Sequence, residues 1–195
     1  MKDALTTRNV QHDVNDLFVK RWSPRAMNGE SLEASEMKQL LEAARWAPSS
    51  YNGQPWRFFY ALRDDDAFDT YFDCIGEFNQ SWCDDAGGLI VVADTGRFSH
   101  NDEPDNTSEM TTGAAFENLS LQGADMGLVV HGMAGFDADQ AEEELGMPDH
   151  FNALCMIAVG YPGDPSDLPE GLAEREEPSD RMPVEDISVR GAFNE

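Results

Sequence analysis

The stretch WAPSSYNGQPWRFF spans Trp46 to Phe59 and stands between an apolar-periodic helix pattern and a strand-like run. Its composition is that of a turn, with two prolines, two serines, an asparagine and a glycine. Yet Ser49, Ser50, Asn52 and Gln54 put four hydrogen-bonding side chains into six positions, on a loop held stiff by Pro48 and Pro55. A connector needs only to reverse the chain. Such a set of hydroxyls and amides also suits a flat, polar heterocycle with several ring acceptors.

Outward from this segment the period alternates between helix and strand. Met37, Leu40, Leu41 and Ala44 form an apolar stripe that predicts a helix ending before Pro48. RFFYAL at 57–62 and GLIVVAD at 88–94 predict strands. Upstream, Val10, Val14, Leu17 and Phe18 share a helical face, and that helix should fail by Pro24. Downstream, Thr111 to Gly127 reads as a long buried helix. Asp137 with Gln140 predicts a capping box opening a short helix that stops at Gly146. LCMIAVG at 154–160 is a continuous apolar run suited to the middle of a sheet. The class is α+β around one sheet. A single domain over 1–195 is expected, with a core at 1–160 and a C-terminal arm at 161–195. The arm begins YPGDPSDLPEGLAEREEPSDRMP, with five prolines and no apolar period, which alone would read as a disordered tail. ISVRGAF at 187–193 regains strand character, so the arm is expected to dock.

The chain has 195 residues and a net charge of −25. Nucleic-acid binding is not expected, because phosphate neutralisation needs clustered Lys and Arg. No apolar run approaches a membrane span, and MKDALTTRNVQHDV does not read as a secretory signal. Three cysteines without a CxxC pair suit reduced thiols in a cytoplasm. The four histidines have no metal-ligand spacing, so no metal is expected.

Two further groupings stand out. KRWSPRAM, Lys20 to Met27, gathers Lys20, Arg21 and Arg25 around Ser23, three of only thirteen basic residues. They can pair with surface acids, or hold a phosphate dianion from several sides. In HGMAGFDADQ, His131 to Gln140, Gly132 and Gly135 flank Met133 and Ala134, which allows close approach of a ligand to backbone N–H groups. No GxSxG, GxGxxG or Walker loop is present, and no nucleophile with a paired base. No side chain is therefore expected to be catalytic; a bound cofactor would carry any chemistry.

In order, these residues resemble the FMN-dependent nitroreductase family: the basic-Ser-basic cluster, APSSYNGQPW, Asn79, MAGFD, GYP, and Arg181 before Pro183. The likeness runs from about Lys20 to Pro183. It implies a mixed sheet flanked by helices, in a homodimer with FMN at the interface and an extended arm reaching the partner protomer. It implies that Arg21, Ser23, Arg25 and Arg181 meet the FMN phosphate and ribityl end. Pro48, Ser49, Ser50 and Asn52 would line the partner's flavin, Asn79 would contact the ring, and Ala134 and Gly135 would face N5. It implies NAD(P)H as reductant and a flat aromatic acceptor, in ping-pong order. Three positions depart from the family. Trp82 stands where some members carry lysine, Ser179 where many carry a second cation, and Ala134 where some carry glutamate. These keep two alternatives open: a flavin-binding or flavin-sequestering protein without turnover, and a dehydrogenase or flavin-consuming offshoot of the same fold.

Overall fold

The computed structural model describes residues 2–192. Its centre is a four-stranded sheet in the order β1 (Trp56–Leu62), β2 (Gly88–Asp94), β4 (Asn152–Gly160), β3 (Val129–Met133). All three pairings within this chain are antiparallel, so the mixed sheet expected from the family is antiparallel here. Every residue of β2 is buried, as the unbroken apolar run GLIVVAD requires of a strand covered on both faces. β4 lies inside the sheet, where its run was expected to place it.

Strand alternation divides the core into two layers. Leu89 and Val91 of β2, with Met156 and Ala158 of β4, face one cluster. Ile90 and Val92, with Ile157 and Val159, face the other. The second cluster is closed by α3 (Ala34–Arg45) and α6 (Ser108–Asp125) through Met37, Leu40, Ala44, Ala115 and Leu119. A capping box starts α3: the Glu33 carboxylate takes an amide of the first turn, and Glu36 accepts from the Glu33 N–H at 3.1 Å. The first cluster is closed by α4 (Phe68–Asp73), α5 (Glu77–Cys83) and α7 (Ala138–Glu144). Asp137 caps α7 through the Gln140 N–H at 3.0 Å, but its own N–H donates to the Cys74 carbonyl. The expected box is therefore one-sided. α4, α5 and β3 were not legible in the sequence.

Of the helix expected over 10–18, only the end forms. The chain makes α1 (Ala4–Thr7) and α2 (Asp16–Lys20), separated by non-helical backbone. Asn15 caps the amide of Leu17 and so starts α2 late. Val10 and Val14 stay 49% and 46% exposed and line a cavity with Met182 and Val184 of the arm, so they lie off the helix that carries Leu17 and Phe18.

The arm does dock, but through its first half. The Gly163 N–H donates to the Ala26 carbonyl at 2.9 Å, and Met27 pairs with Pro162. A Cβ at residue 163 would collide with the main chain of Met27, so glycine permits this approach. Leu168 and, on α8 (Glu170–Ala173), Leu172 close the first core cluster. Residues 179–192 are all exposed. The strand expected at 187–193 is absent over its described part, where the short α9 (Val184–Ile187) ends and the backbone is irregular. Its described residues pair with neither edge strand of this protomer's own sheet, β1 or β3. Phe193 lies outside the described residues.

Candidate functional site

Segment 20–27 runs between α2 and the Met27–Pro162 bridge, and Pro24 keeps it out of a helix. It is tied down from β3, where His131 Nδ1 lies 2.9 Å from the Pro24 carbonyl. The Arg25 guanidinium sits over the Trp82 ring at 5.7 Å, and the Trp82 and His131 rings are 4.6 Å apart. Trp82 Nε1 donates to Asn79 Oδ1 at 3.2 Å, and Asn79 Nδ2 donates to the Gly135 carbonyl at 3.0 Å. A Cβ at residue 135 would come within 2.8 Å of that amide nitrogen, so a larger residue would have to displace the Asn79 amide. Arg25, Asn79 and Gly135, with Ala134 beside it, therefore form one continuous patch from three distant segments. Trp82 is 2% exposed. It is a floor for Arg25, not a vacant cation position.

Charge and hydrogen bonding here centre on His131 and Arg25. Burial pulls His131 below its ordinary value of 6.5, and the nearby Arg25 acts in the same sense. The Pro24 carbonyl and Glu176 oppose that shift. The imidazole is thus neutral beneath the segment at neutral pH. Arg25 Nε is buried without a hydrogen-bond partner among the described residues, a donor that a bound anion would satisfy.

A second cationic group lies alongside. Burial first, then the neighbouring Arg181 and Arg21, pulls the Arg8 guanidinium below its ordinary value, with Asp180 opposing. Arg8, Arg21, Arg181, Asp180 and Glu117 line one cavity of about 320 Å³. Arg21 Nε is 3.4 Å from Glu117. Arg8 was not singled out in the sequence, where it is one basic residue in an irregular segment. It stands next to Ser179, the position lacking the family's second cation, and its Nε donates to the Ser179 carbonyl at 2.9 Å.

The segment from Pro48 to Gln54 is built differently. Tyr51, Asn52 and Gln54 all adopt positive φ, at 51°, 55° and 48°. Three non-glycine residues in this region are strained on the order of 1–3 kcal/mol each, and such strain gathers at binding sites. Ser49 Oγ accepts from the Gln54 N–H at 3.0 Å, which closes the loop on itself. Tyr51 is 83% exposed and packs against Phe98 and His100. Among the described residues no hydrogen bond joins this loop to Arg21, Ser23, Arg25, Asn79, Ala134, Gly135 or Arg181.

Comparison with known proteins follows the same lines. The nitroreductase family model matches residues 18–77 and 74–161. The crystal structure of an oxidoreductase containing FMN superposes with a TM-score of 0.94 at 37% identity, covering 100% of this chain and 99% of that one. An NADH dehydrogenase of Thermus thermophilus is 26% identical over 206 residues, covering 90% of this chain and 94% of its own. A nitroreductase family protein of Streptococcus pneumoniae shares the fold at 20% identity, with a TM-score of 0.72 over 90% of this chain and 98% of that one. The chain belongs to the nitroreductase family.

Proposed function

We propose that this protein is an FMN-dependent NAD(P)H oxidoreductase of the nitroreductase or quinone-reductase type, active as a homodimer. The observation that carries the reading is the end-to-end likeness to an oxidoreductase containing FMN. The residues present fit the cofactor: a buried guanidinium N–H lacks an acceptor, and further arginines line the adjoining cavity. Arg21, Ser23, Arg25 and Arg181 would hold the phosphate and ribityl end, with charge-assisted donors from several directions. The backbone at Ala134 and Gly135 and the amide of Asn79 would set the ring's position. Pro48, Ser49, Ser50 and Asn52 would close the site of the partner protomer, which accounts for a strained, outward-facing loop.

Bound FMN would supply the redox chemistry, taking a hydride from NAD(P)H and delivering it to a flat acceptor, a nitroaromatic or a quinone, in alternating half-reactions. This chain's part is placement. Neutral His131 adds no charge under the Arg25 segment. Trp82 excludes water below Arg25, so a guanidinium–phosphate contact there would be little screened. No described side chain needs to act as acid or base for the hydride step. The arm beyond residue 179, exposed with Met182, Ile187 and Val189, would lie on the second copy.

The test is the visible spectrum of the purified protein under anaerobic NADH and then NADPH. A yellow protein bleached by either nucleotide, and recoloured by a quinone, is expected. Flavin that neither nucleotide bleaches would favour the sequestering reading, and a protein that FMN does not colour would overturn both.

A further inference from the structure

Glu176 is an acid of the C-terminal arm that is only 3% exposed. Its Oε1 accepts the N–H of Arg25 at 2.5 Å and of Ala26 at 3.0 Å. Among the described residues its Oε2 has no hydrogen-bond partner, and it lies 3.8 Å from a terminal nitrogen of Arg25. A carboxylate leaves water at a large penalty unless donors meet it. Here two of those donors are main-chain amides of the segment that carries Arg21, Ser23 and Arg25.

The other end of that segment is tied to the same stretch of the arm. One terminal nitrogen of Arg8 donates to the carbonyls of Val19 and Arg21 at 2.6 and 2.7 Å, while its Nε takes the Ser179 carbonyl. Arm residues 176 and 179 thus brace residues 19–26 from both sides. The negative charge of Glu176 opposes binding of a second anion beside Arg25. Its value to a phosphate site lies in the acceptor geometry, which holds the backbone where Arg25 can reach.

We propose that Glu176 is a positioning residue for the phosphate-binding segment. It grips the amides of Arg25 and Ala26, so that arm docking and retention of a flavin phosphate are coupled. The proposal rests on the flavin reading for its ligand and on the clasp geometry for its mechanism.

Two variants separate acceptor from charge. Glu176→Gln keeps an oxygen for both amides and removes the charge. Glu176→Asp keeps the charge and withdraws the oxygen by one methylene. Each is titrated, flavin-free, with FMN and with riboflavin, which has no phosphate, by quenching of flavin fluorescence. E176D should weaken FMN tenfold or more and leave riboflavin within threefold, while E176Q stays within threefold of wild type for both. In flavin-free protein, trypsin cleavage after Arg175 and Arg181 should quicken severalfold in E176D and not in E176Q.

Equal loss of both flavins would mark a merely structural role and overturn the proposal. So would wild-type FMN affinity in E176D with loss in E176Q. If E176D does not fold, E176Q decides alone, and a phosphate-specific loss in it overturns the acceptor role. A wild-type chain that binds neither flavin overturns the proposed function instead, and the trypsin comparison then decides the clasp.

Discussion

Arg25 concentrates the chemistry of the site in one side chain. It touches an indole face and a buried carboxylate, and its Nε meets no acceptor among the described residues. A charge-assisted hydrogen bond contributes on the order of 1.5–3 kcal/mol. Alanine at Arg25 or at Arg21 should therefore weaken FMN binding roughly ten- to hundredfold at matched salt. Unchanged affinity in both variants would leave these arginines as partners of Glu176 and Glu117 alone. His131 allows a second measurement at this scale. The unfolded chain takes up its proton near pH 6.5, the folded chain only at lower pH. Stability from neutral His131 is complete above about 6.5 and is lost as pH falls through the folded value. Thermal melts of wild type and His131→Asn between pH 7.5 and 5 should show a smaller fall in the variant. Parallel curves would mean that the imidazole does not sense its burial beside Arg25 and Trp82.

Among the elements, the arm unites core and site. Its Leu168 and Leu172 close one face of the sheet, and its residues beyond 178 are solvent-facing. Burial of two leucines is worth about 4–10 kcal/mol by large-to-small substitution, comparable to a typical domain's whole stability of roughly 5–15 kcal/mol. Ending the chain after Gly160 should therefore leave no cooperative melting transition. Ending it after Pro178 should leave near-native circular dichroism, with weaker FMN binding and a weaker dimer, because Arg181 and the Ser179 carbonyl are gone. Light scattering with flavin titration reads both effects. A yellow dimer of wild-type affinity after the second truncation would exclude the distal arm from either role. The loop from Pro48 to Gln54 is its counterpart, closed on itself and turned outward, which suits a surface completed by another chain.

For the molecule as a whole, charge is the outlying property. There are 38 acids against 13 bases, 21 of the acids are aspartates, and only Lys2, Lys20 and Lys38 are lysines. At 0.01 M salt the screening length is roughly 30 Å, so these charges repel across the whole protein; at 1 M it is about 3 Å. The same field slows encounter with an anionic nucleotide. The melting midpoint and the NAD(P)H on-rate should both rise as KCl goes from millimolar to molar, with FMN saturating. A midpoint flat or falling above about 0.15 M would show an acidic surface without adaptation to a saline interior. No described helix is long and apolar enough to cross a membrane.

How far the sequence reached varied with the kind of interaction. Local, repeated signals were enough for α3, α6, β1, β2 and β4, because each has an apolar period or an unbroken apolar run over several turns or residues. The family was readable for a related reason: APSSYNGQPW and the cluster around Ser23 are contiguous, and their spacing survives without any knowledge of packing. α4, α5 and β3 were not readable, being short and stabilised by the sheet that the helices cover and β3 joins. The helix placed over 10–18 formed only from Asp16, with Val10 and Val14 left half-exposed, because periodicity specifies a face but not a partner for it. No strand forms over 187–192 within this protomer, since the pairing expected of that segment was with the partner's sheet. Composition could not show that Trp82 lies beneath Arg25, that Arg8 stands beside Ser179, or that Glu176 grips the amides of Arg25 and Ala26 across about 150 positions. Those contacts exist only because the antiparallel sheet brings β3, α5 and the returning arm to one end, where long-range hydrogen bonds replace local pattern.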